Sequence, residues 1–246
     1  MSNDKTLLLL GARSDIGLAI AYKFAKEGFD VQLAARNSSS LNDECSDLII
    51  RYGIKVSLHE FDVLDTKTYF KFIESLPTLP SIVVSAIGYL GIEDDCELKI
   101  NNKIKILRTN FEGVVTLFCV LSDYFKQRGS GTLVGISSVA GDRGRGSNYI
   151  YGSAKAGFSA FLSGLRNKLY PYGIHVITVK PGYVYTKMTS HLNLPKLLTS
   201  NPLTVANYIY KAYKFKKNIV YVNPIWRYIM TAIRIIPESI FKKIKL

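Results

Sequence analysis

The chain has 246 residues, 48% of them hydrophobic and 21% charged; this usage suits one large α/β domain or two small ones and excludes a disordered chain. Its 18 glycines and 8 prolines follow no period, which excludes a fibrous repeat. The formal charge of +13 is unevenly spread: residues 207–246 hold nine lysines and arginines against one acid, Glu238, so this stretch alone carries +8. A tail this basic implies an anionic partner, either lipid headgroups or nucleic acid.

Cys45, Cys96 and Cys119 are widely spaced, with no CxxC and no Cys/His cluster, so neither a disulfide framework nor a metal site is expected. The cysteine usage reads as a reducing, cytoplasmic compartment. Met1–Lys5 is too polar for a signal peptide, and no charge-free stretch of 18 apolar residues is present to span a membrane.

From the N-terminus, Thr6–Leu10 is a short apolar run ending at Gly11, and Ile16–Lys26 follows with helical periodicity. Val31–Ala35 reads as a second buried strand, Leu41–Arg51 as a helix, Lys55–Leu58 as a strand and Thr66–Leu76 as a helix. Ile82–Ala86 is a fourth strand, Ile100–Lys126 one long helical stretch, Thr132–Ser137 a fifth strand and Tyr151–Tyr170 a helix. His175–Val179, Val205–Lys214 and Ile219–Val222 complete the series as strand, helix and strand. Strands without polar alternation, separated by helices, predict a parallel sheet covered on both faces. Right-handed crossovers make it a single doubly wound α/β sheet of about seven strands over residues 1–223. Residues 224–246 form a basic, amphipathic helical appendage.

The first strand meets the first helix at Gly11-Ala12-Arg13-Ser14-Asp15-Ile16-Gly17. Gly11 permits the turn and a close backbone approach to a phosphate, and Gly17 lets the helix sit tightly on the sheet. Arg13, Ser14 and Ile16 then surround a helix N-terminus whose free N–H groups and positive dipole end suit a pyrophosphate. The second strand ends in Ala34-Ala35-Arg36-Asn37, without the acidic residue that would bond a ribose 2′-hydroxyl. Arg36 and Arg13 can instead bracket a 2′-phosphate, so NADP(H) is expected over NAD(H).

The fifth strand runs into Ser137-Ser138-Val139, with Tyr151 thirteen residues after Ser138 and Lys155 four further on. Positions i and i+4 share a helix face, so Tyr151 and Lys155 project together. A free phenol has a pKa of about 10; a neighbouring ammonium is expected to lower it, fitting Tyr151 to protonate a carbonyl oxygen while Ser138 holds that oxygen.

With these residues the sequence resembles the short-chain dehydrogenase/reductase family from Lys5 to about Val222. The resemblance implies a Rossmann-type sheet, hydride transfer and Ser138, Tyr151 and Lys155 as a catalytic triad. It implies that Asn110, in Thr109-Asn110-Phe111-Glu112-Gly113, holds a water in a proton relay, and that Lys155 also binds the nicotinamide ribose. Asp62 and Val63 match the adenine-contacting pair, and Pro181, Gly182 and Thr186 the stretch that grips the nicotinamide amide. Ser85-Ala86-Ile87-Gly88 stands where the family has Asn-Asn-Ala-Gly, bringing Ala86 and Gly88 to the cofactor. Leu10 and Asp15 replace the usual threonine and middle glycine, and Asp15 is expected either beside the pyrophosphate or capping the helix. A homo-oligomer is the family's usual state.

A narrower likeness rests on Gly141 to Asn148, on Thr186 to Leu192 (including His191, to which no role is assigned), and on Trp226-Arg227-Tyr228 through Pro237 to Phe241. These stretches look like the decaprenylphosphoryl-2-keto-pentose reductase type. That resemblance implies reduction of a 2-keto sugar on a polyprenyl-phosphate carrier, with a flavin oxidase as the partner that supplies it. Arg143 and Arg145, just past the catalytic strand, are candidates for a substrate phosphate. Residues 225–236 form a helix of about 18 Å, too short to span a bilayer. It is expected to lie on an anionic membrane surface, with Trp226 and Tyr228 at headgroup level, peripheral on the inner face; packing on the domain or across a dimer interface is the alternative. Two further alternatives stay open. One is a reductase of another hydrophobic carbonyl, such as a keto-sphingoid or 3-ketoacyl lipid. The other is a non-enzymatic cofactor-binding scaffold at a membrane surface. No nucleic-acid motif accompanies the basic tail.

Overall fold

The computed structural model describes residues 5–91, 100–190 and 194–244, so His191 and Cys96 lie outside it. Strands β1 (Thr6–Leu10), β2 (Asp30–Ala35), β3 (Val56–Glu60), β4 (Ile82–Ser85), β5 (Gly131–Ile136), β6 (Ile174–Pro181) and β9 (Ile219–Val222) form one sheet. All its pairings are parallel, in the order β3-β2-β1-β4-β5-β6-β9. The chain winds outward from β1 to β3, then crosses back to β4. Neighbouring connections therefore leave on opposite faces between β1 and β4, and a crevice opens at their carboxyl ends. Two short strands, β7 (Tyr183–Val184) and β8 (Thr199–Ser200), pair separately and bring together the two ends of the segment between them.

The central strands are mostly apolar because both faces are covered, and successive side chains divide between two cores. Leu7 and Leu9 of β1 pack with Ile20 and Phe24 of α1 (Asp15–Lys26), Leu48 of α2 (Asn42–Tyr52), and Val205 and Ile209 of α7 (Pro202–Lys214). Leu8 and Leu10 face the other way. They meet Tyr69 and Phe72 of α3 (Tyr69–Glu74), Leu117 and Phe118 of α5 (Gly113–Arg128), and Phe158 and Leu162 of α6 (Tyr149–Leu169).

Residues 100–126 do not form one helix as the periodicity predicts. α4 (Ile100–Leu107) passes into a wide π turn at Arg108–Glu112 before α5 begins. A π turn opens the spiral locally while the apolar pattern continues on either side, so periodicity misses it. Here it is centred on Asn110.

At the C-terminus, α8 (Ile225–Ile235) and the short α9 (Glu238–Phe241) return to the sheet's carboxyl end. Trp226 and Met230 are buried with Val139, and Tyr183 packs beside them. This corrects the placement of Trp226 at a headgroup level: its ring lies edge-on to Tyr183 with centroids 5.4 Å apart, and its indole N–H donates to the Leu198 carbonyl at 3.0 Å. Tyr228, by contrast, is 75% exposed. No described helix is long and apolar enough to cross a membrane.

Candidate active site

The glycine turn is built as the sequence implies. Ser14 caps α1, its hydroxyl accepting from Gly17 N at 3.0 Å and donating to the Gly11 carbonyl at 2.9 Å. Gly11 has φ +80, and a Cβ there would lie 3.0 Å from the Ala86 carbonyl carbon, so the exit of β1 presses on the exit of β4. A Cβ at Gly17 would lie 2.7 Å from the Gly11 carbonyl oxygen, which holds the helix end against the turn. Asp15 neither caps the helix nor turns to the phosphate position. Its carboxylate accepts from Lys187 N at 2.6 Å and ties the turn to the segment after β7.

Two cavities of about 390 and 370 Å³ share Arg13, Ser14, Ala86 and Gly88 as a common wall. The first also collects Gly11, Arg36, Asp62 and Val63. One Asp62 carboxylate oxygen accepts from Leu64 N at 2.9 Å, which fixes the turn after β3. Arg13 donates to the Arg36 carbonyl at 3.2 Å. Glu60, at the end of β3, accepts from the backbone N–H groups of Asn37 and Ser38 at 2.7 and 2.8 Å. Those bonds, with Arg13 nearby, hold its carboxyl below the ordinary range. Both guanidiniums thus border the cleft together with Asp62, one of whose oxygens is engaged with the Leu64 backbone.

The second cavity gathers Ile16, Ser138, Tyr151, Lys155, Pro181, Gly182, Thr186 and Arg145. Tyr151 and Lys155 share the expected face of α6, the Lys155 ammonium 5.6 Å from the phenol ring centroid. Lys155 is 3% exposed and donates to the Ile136 carbonyl at 3.1 Å. Burial lowers its pKa from 10.5 to about 8. The expected acidification of Tyr151 does not appear: desolvation pushes the phenol up to about 12, and the Ser138 hydrogen bond only partly offsets it. The Lys155 amine donates to the Ile136 carbonyl, and what lowers the phenol's pKa against burial is the Ser138 hydrogen bond. Tyr151 is therefore a neutral phenol at physiological pH, charged with the proton that a general acid must give.

Asn110 lies beneath this cavity, fully buried. Its amide donates to the Tyr89 and Ile106 carbonyls at 2.6 and 2.8 Å and accepts from Tyr89 N at 3.2 Å. It clamps the strand exit above it, and a Cβ on Gly88 would lie 3.5 Å from its oxygen and 3.9 Å from Lys155 Nζ. Gly182 is braced from behind by α8: a Cβ there would lie 1.9 Å from the Trp226 indole nitrogen. Asp142, with Lys180 and Tyr221, couples the loop after β5 to β6 and β9. Sequence reasoning missed this network because its members lie on three separate elements. Asn148, Lys187 and Met188 of the cavity wall enter the sequence reading only within the stretches of the narrower likeness, which give them no role.

The two candidate substrate arginines part ways. Arg145 lines the catalytic cavity, whereas Arg143 does not. Arg143 donates to a Glu238 carboxylate oxygen at 2.6 Å and to the Arg234 carbonyl at 3.1 Å, and stacks 4.2 Å from the Phe241 ring centroid. Its charge is absorbed by the C-terminal segment, a pairing at 95 residues' separation that local spacing cannot reveal.

The crevice fits a nicotinamide dinucleotide. Gly11 and Gly17 leave room for backbone but not for side chains, α1 offers its N-terminus, and adjoining cavities lead from Arg36 to Tyr151.

A family model described as short chain dehydrogenase matches residues 5–196. An uncharacterised oxidoreductase of Mycobacterium tuberculosis is 32% identical over 240 residues, covering 96% of each chain. A ketoacyl reductase of Nostoc sp. is 32% identical over 226 residues, 89% of this chain and 78% of that protein. Among solved structures, a short-chain dehydrogenase from Sphingobium yanoikuyae in complex with NADPH superposes with a TM-score of 0.82 at 22% identity, covering 98% of this chain and 96% of that one. A Burkholderia cenocepacia short chain dehydrogenase in complex with NADP gives 0.83 at 17% identity, with 96% and 95% covered.

Proposed function

The chain belongs to the short-chain dehydrogenase family and is an NAD(P)-dependent oxidoreductase, and we propose that it reduces a ketone with NADP(H), specifically a 2-keto sugar on a polyprenyl-phosphate carrier. The observation that carries the ketone-reductase reading is the meeting of Ser138, Tyr151 and Lys155 in one cavity that adjoins the glycine-turn cleft. NADP(H) is supported by Arg13 and Arg36 in the lining of that cleft, two guanidiniums able to receive a 2′-phosphate.

The bound cofactor would supply the hydride. In that reaction the Ser138 hydroxyl and the Tyr151 phenol hold the carbonyl oxygen, and Tyr151 gives it the proton. Lys155 would hold the nicotinamide ribose and, as a cation beside the Tyr151 ring, stabilise the phenolate left behind. Asn110 fixes the segment after β4, whose Gly88 lies against Lys155. Arg13 and Arg36 would bind the 2′-phosphate, the N-terminus of α1 the pyrophosphate, Asp62 and Val63 the adenine, and Pro181, Gly182 and Thr186 the nicotinamide amide.

A lipid-borne substrate is supported by the apolar wall of Leu90, Val184 and Met188. Ile225, Tyr228 and Ile235 stay exposed on α8 among Arg227 and Arg234, a surface suited to anionic lipid on the inner face of a membrane. The reaction requires an oxidase, a flavoprotein in this reading, to make the keto sugar. A second reading, reduction of a 3-ketoacyl lipid, is favoured by the likeness to a ketoacyl reductase. The test is consumption of NADPH and NADH with a polyprenyl-phosphoryl 2-ketopentose and with a 3-ketoacyl thioester. Highest kcat/KM for the keto sugar with NADPH supports the first reading, and preference for the thioester selects the second. Turnover of neither overturns both.

A further inference from the structure

Three charged side chains follow β5, and two of them are satisfied within the protein. Asp142 is bonded to Lys180 and accepts from the Tyr221 hydroxyl at 2.7 Å. Arg143 is held by Glu238, by the Arg234 carbonyl and by the face of Phe241. Arg145 shares none of these partners. It turns into the cavity that holds Ser138 and Tyr151, where its Nε is buried without a hydrogen-bond partner. In the same wall the Asn148 side-chain oxygen is also buried without a partner. Buried polar atoms are nearly always bonded, so such exceptions call for an explanation. Here a donor and an acceptor of opposite character stand in one wall, beside the hydroxyls that address a carbonyl.

We propose that Arg145 and Asn148 form the substrate subsite of this reductase and select a ketone that carries both an anionic group and a hydroxyl. The proposal rests on the ketone-reductase reading and names its substrate class. The planar guanidinium takes the oxygens of a phosphoester or a carboxylate, and the Asn148 carbonyl oxygen accepts from a hydroxyl near the reacting carbon. Arg145 lines the Tyr151 cavity but not the one containing Arg36 and Asp62, so it is set apart from the group those residues receive. Leu90, Val184 and Met188, which line the same cavity, take the apolar remainder. Lys187 borders both cavities and adds positive charge to the entrance.

The test uses matched ketones with NADPH: D-ribulose 5-phosphate against D-ribulose for a phosphoester, and 4-oxopentanoate against 2-pentanone for a carboxylate. The readout is the ratio of kcat/KM for the charged over the neutral partner. Arg145→Gln is expected to lower that ratio roughly 10- to 100-fold in the arm whose anion the site accepts. Arg145→Lys, which keeps the charge but loses the fork, recovers part of it. Asn148→Ala lowers kcat/KM for D-ribulose relative to 2-pentanone. Trp226, the only tryptophan in the chain, packs on Gly182 at this cavity, so its fluorescence gives binding directly. Titration with D-ribulose 5-phosphate should weaken in Arg145→Gln by a larger factor than titration with D-ribulose. A loss in either arm supports the subsite and identifies its anion. Equal changes for charged and neutral partners in both arms, in kinetics and in titration, overturn it. Failure of the wild type to reduce any of the four ketones counts against the reductase reading instead, and the titration then still decides the role of Arg145.

Discussion

Replacing Lys155 with methionine removes a buried ammonium while keeping most of the side chain's volume. Burial holds that ammonium at a pKa of about 8, against 10.5 in an open chain. The difference of about 2.5 pH units corresponds to about 3 kcal/mol by which the charged lysine opposes folding. The direction follows from proton counting. Between pH 8 and 10.5 the unfolded chain keeps a proton that the folded protein has released, so stability rises with pH through that window. Below pH 8 the cost is fully present, and above 10.5 it is gone. The variant lacks the titration, and the Ile136 carbonyl it leaves without its lysine adds an offset independent of pH. Urea unfolding of both proteins at intervals from pH 7 to 10.5, with constant slopes, gives the comparison. The stability of the wild type minus that of Lys155→Met should climb by about 3 kcal/mol across the series, most of it above pH 8. A difference that stays flat to within about 0.5 kcal/mol would show that Lys155 is not desolvated, and the account of the Tyr151–Lys155 pair would fail with it.

Two further substitutions test the ends of the cleft. Arg36→Asp should weaken NADPH binding by roughly tenfold or more, through loss of a charge-assisted bond and introduction of a like charge, while NADH binding falls less. Equal changes for the two cofactors in a fluorescence titration would remove Arg36 from 2′-phosphate recognition. Gly182→Ala forces a Cβ into the Trp226 ring at 1.9 Å. Overpacking of this kind costs about 1–3 kcal/mol, and the melting midpoint should fall by roughly 3–10 °C. Much of that loss should disappear when Gly182→Ala is combined with Trp226→Ala, and an additive pair would show that α8 does not brace this turn.

The strands were legible because a sheet buried on both faces demands unbroken apolar runs, and Ile219–Val222 is read from its residues alone. Tyr151 and Lys155 were legible because helix geometry turns an i, i+4 spacing into a shared face. What the sequence could not carry depends on distant partners or on local departures from a regular period. The π turn at Asn110 interrupts a helix whose apolar pattern runs on without a break. Arg143 and Arg145 are two residues apart and alike in chemistry, yet Glu238 and Phe241 engage only the first. Trp226 on an amphipathic helix reads as a surface anchor until Gly182 and Tyr183 are found beneath it. The Tyr151 phenol is raised rather than lowered because burial, which spacing does not report, exceeds the effect of the Ser138 hydrogen bond.

The central claim is that the Tyr151 phenol hands its proton to a carbonyl oxygen as hydride reaches the carbon. Single-turnover transfer of deuterium from 4-deuterated NADPH to a ketone, followed in the wild type and in Tyr151→Phe at saturating cofactor, measures that step. The account predicts a rate lower by about 10²–10⁴ in the variant, the contribution of a positioned general acid. Deuterium transfer by Tyr151→Phe at the wild-type rate would contradict it.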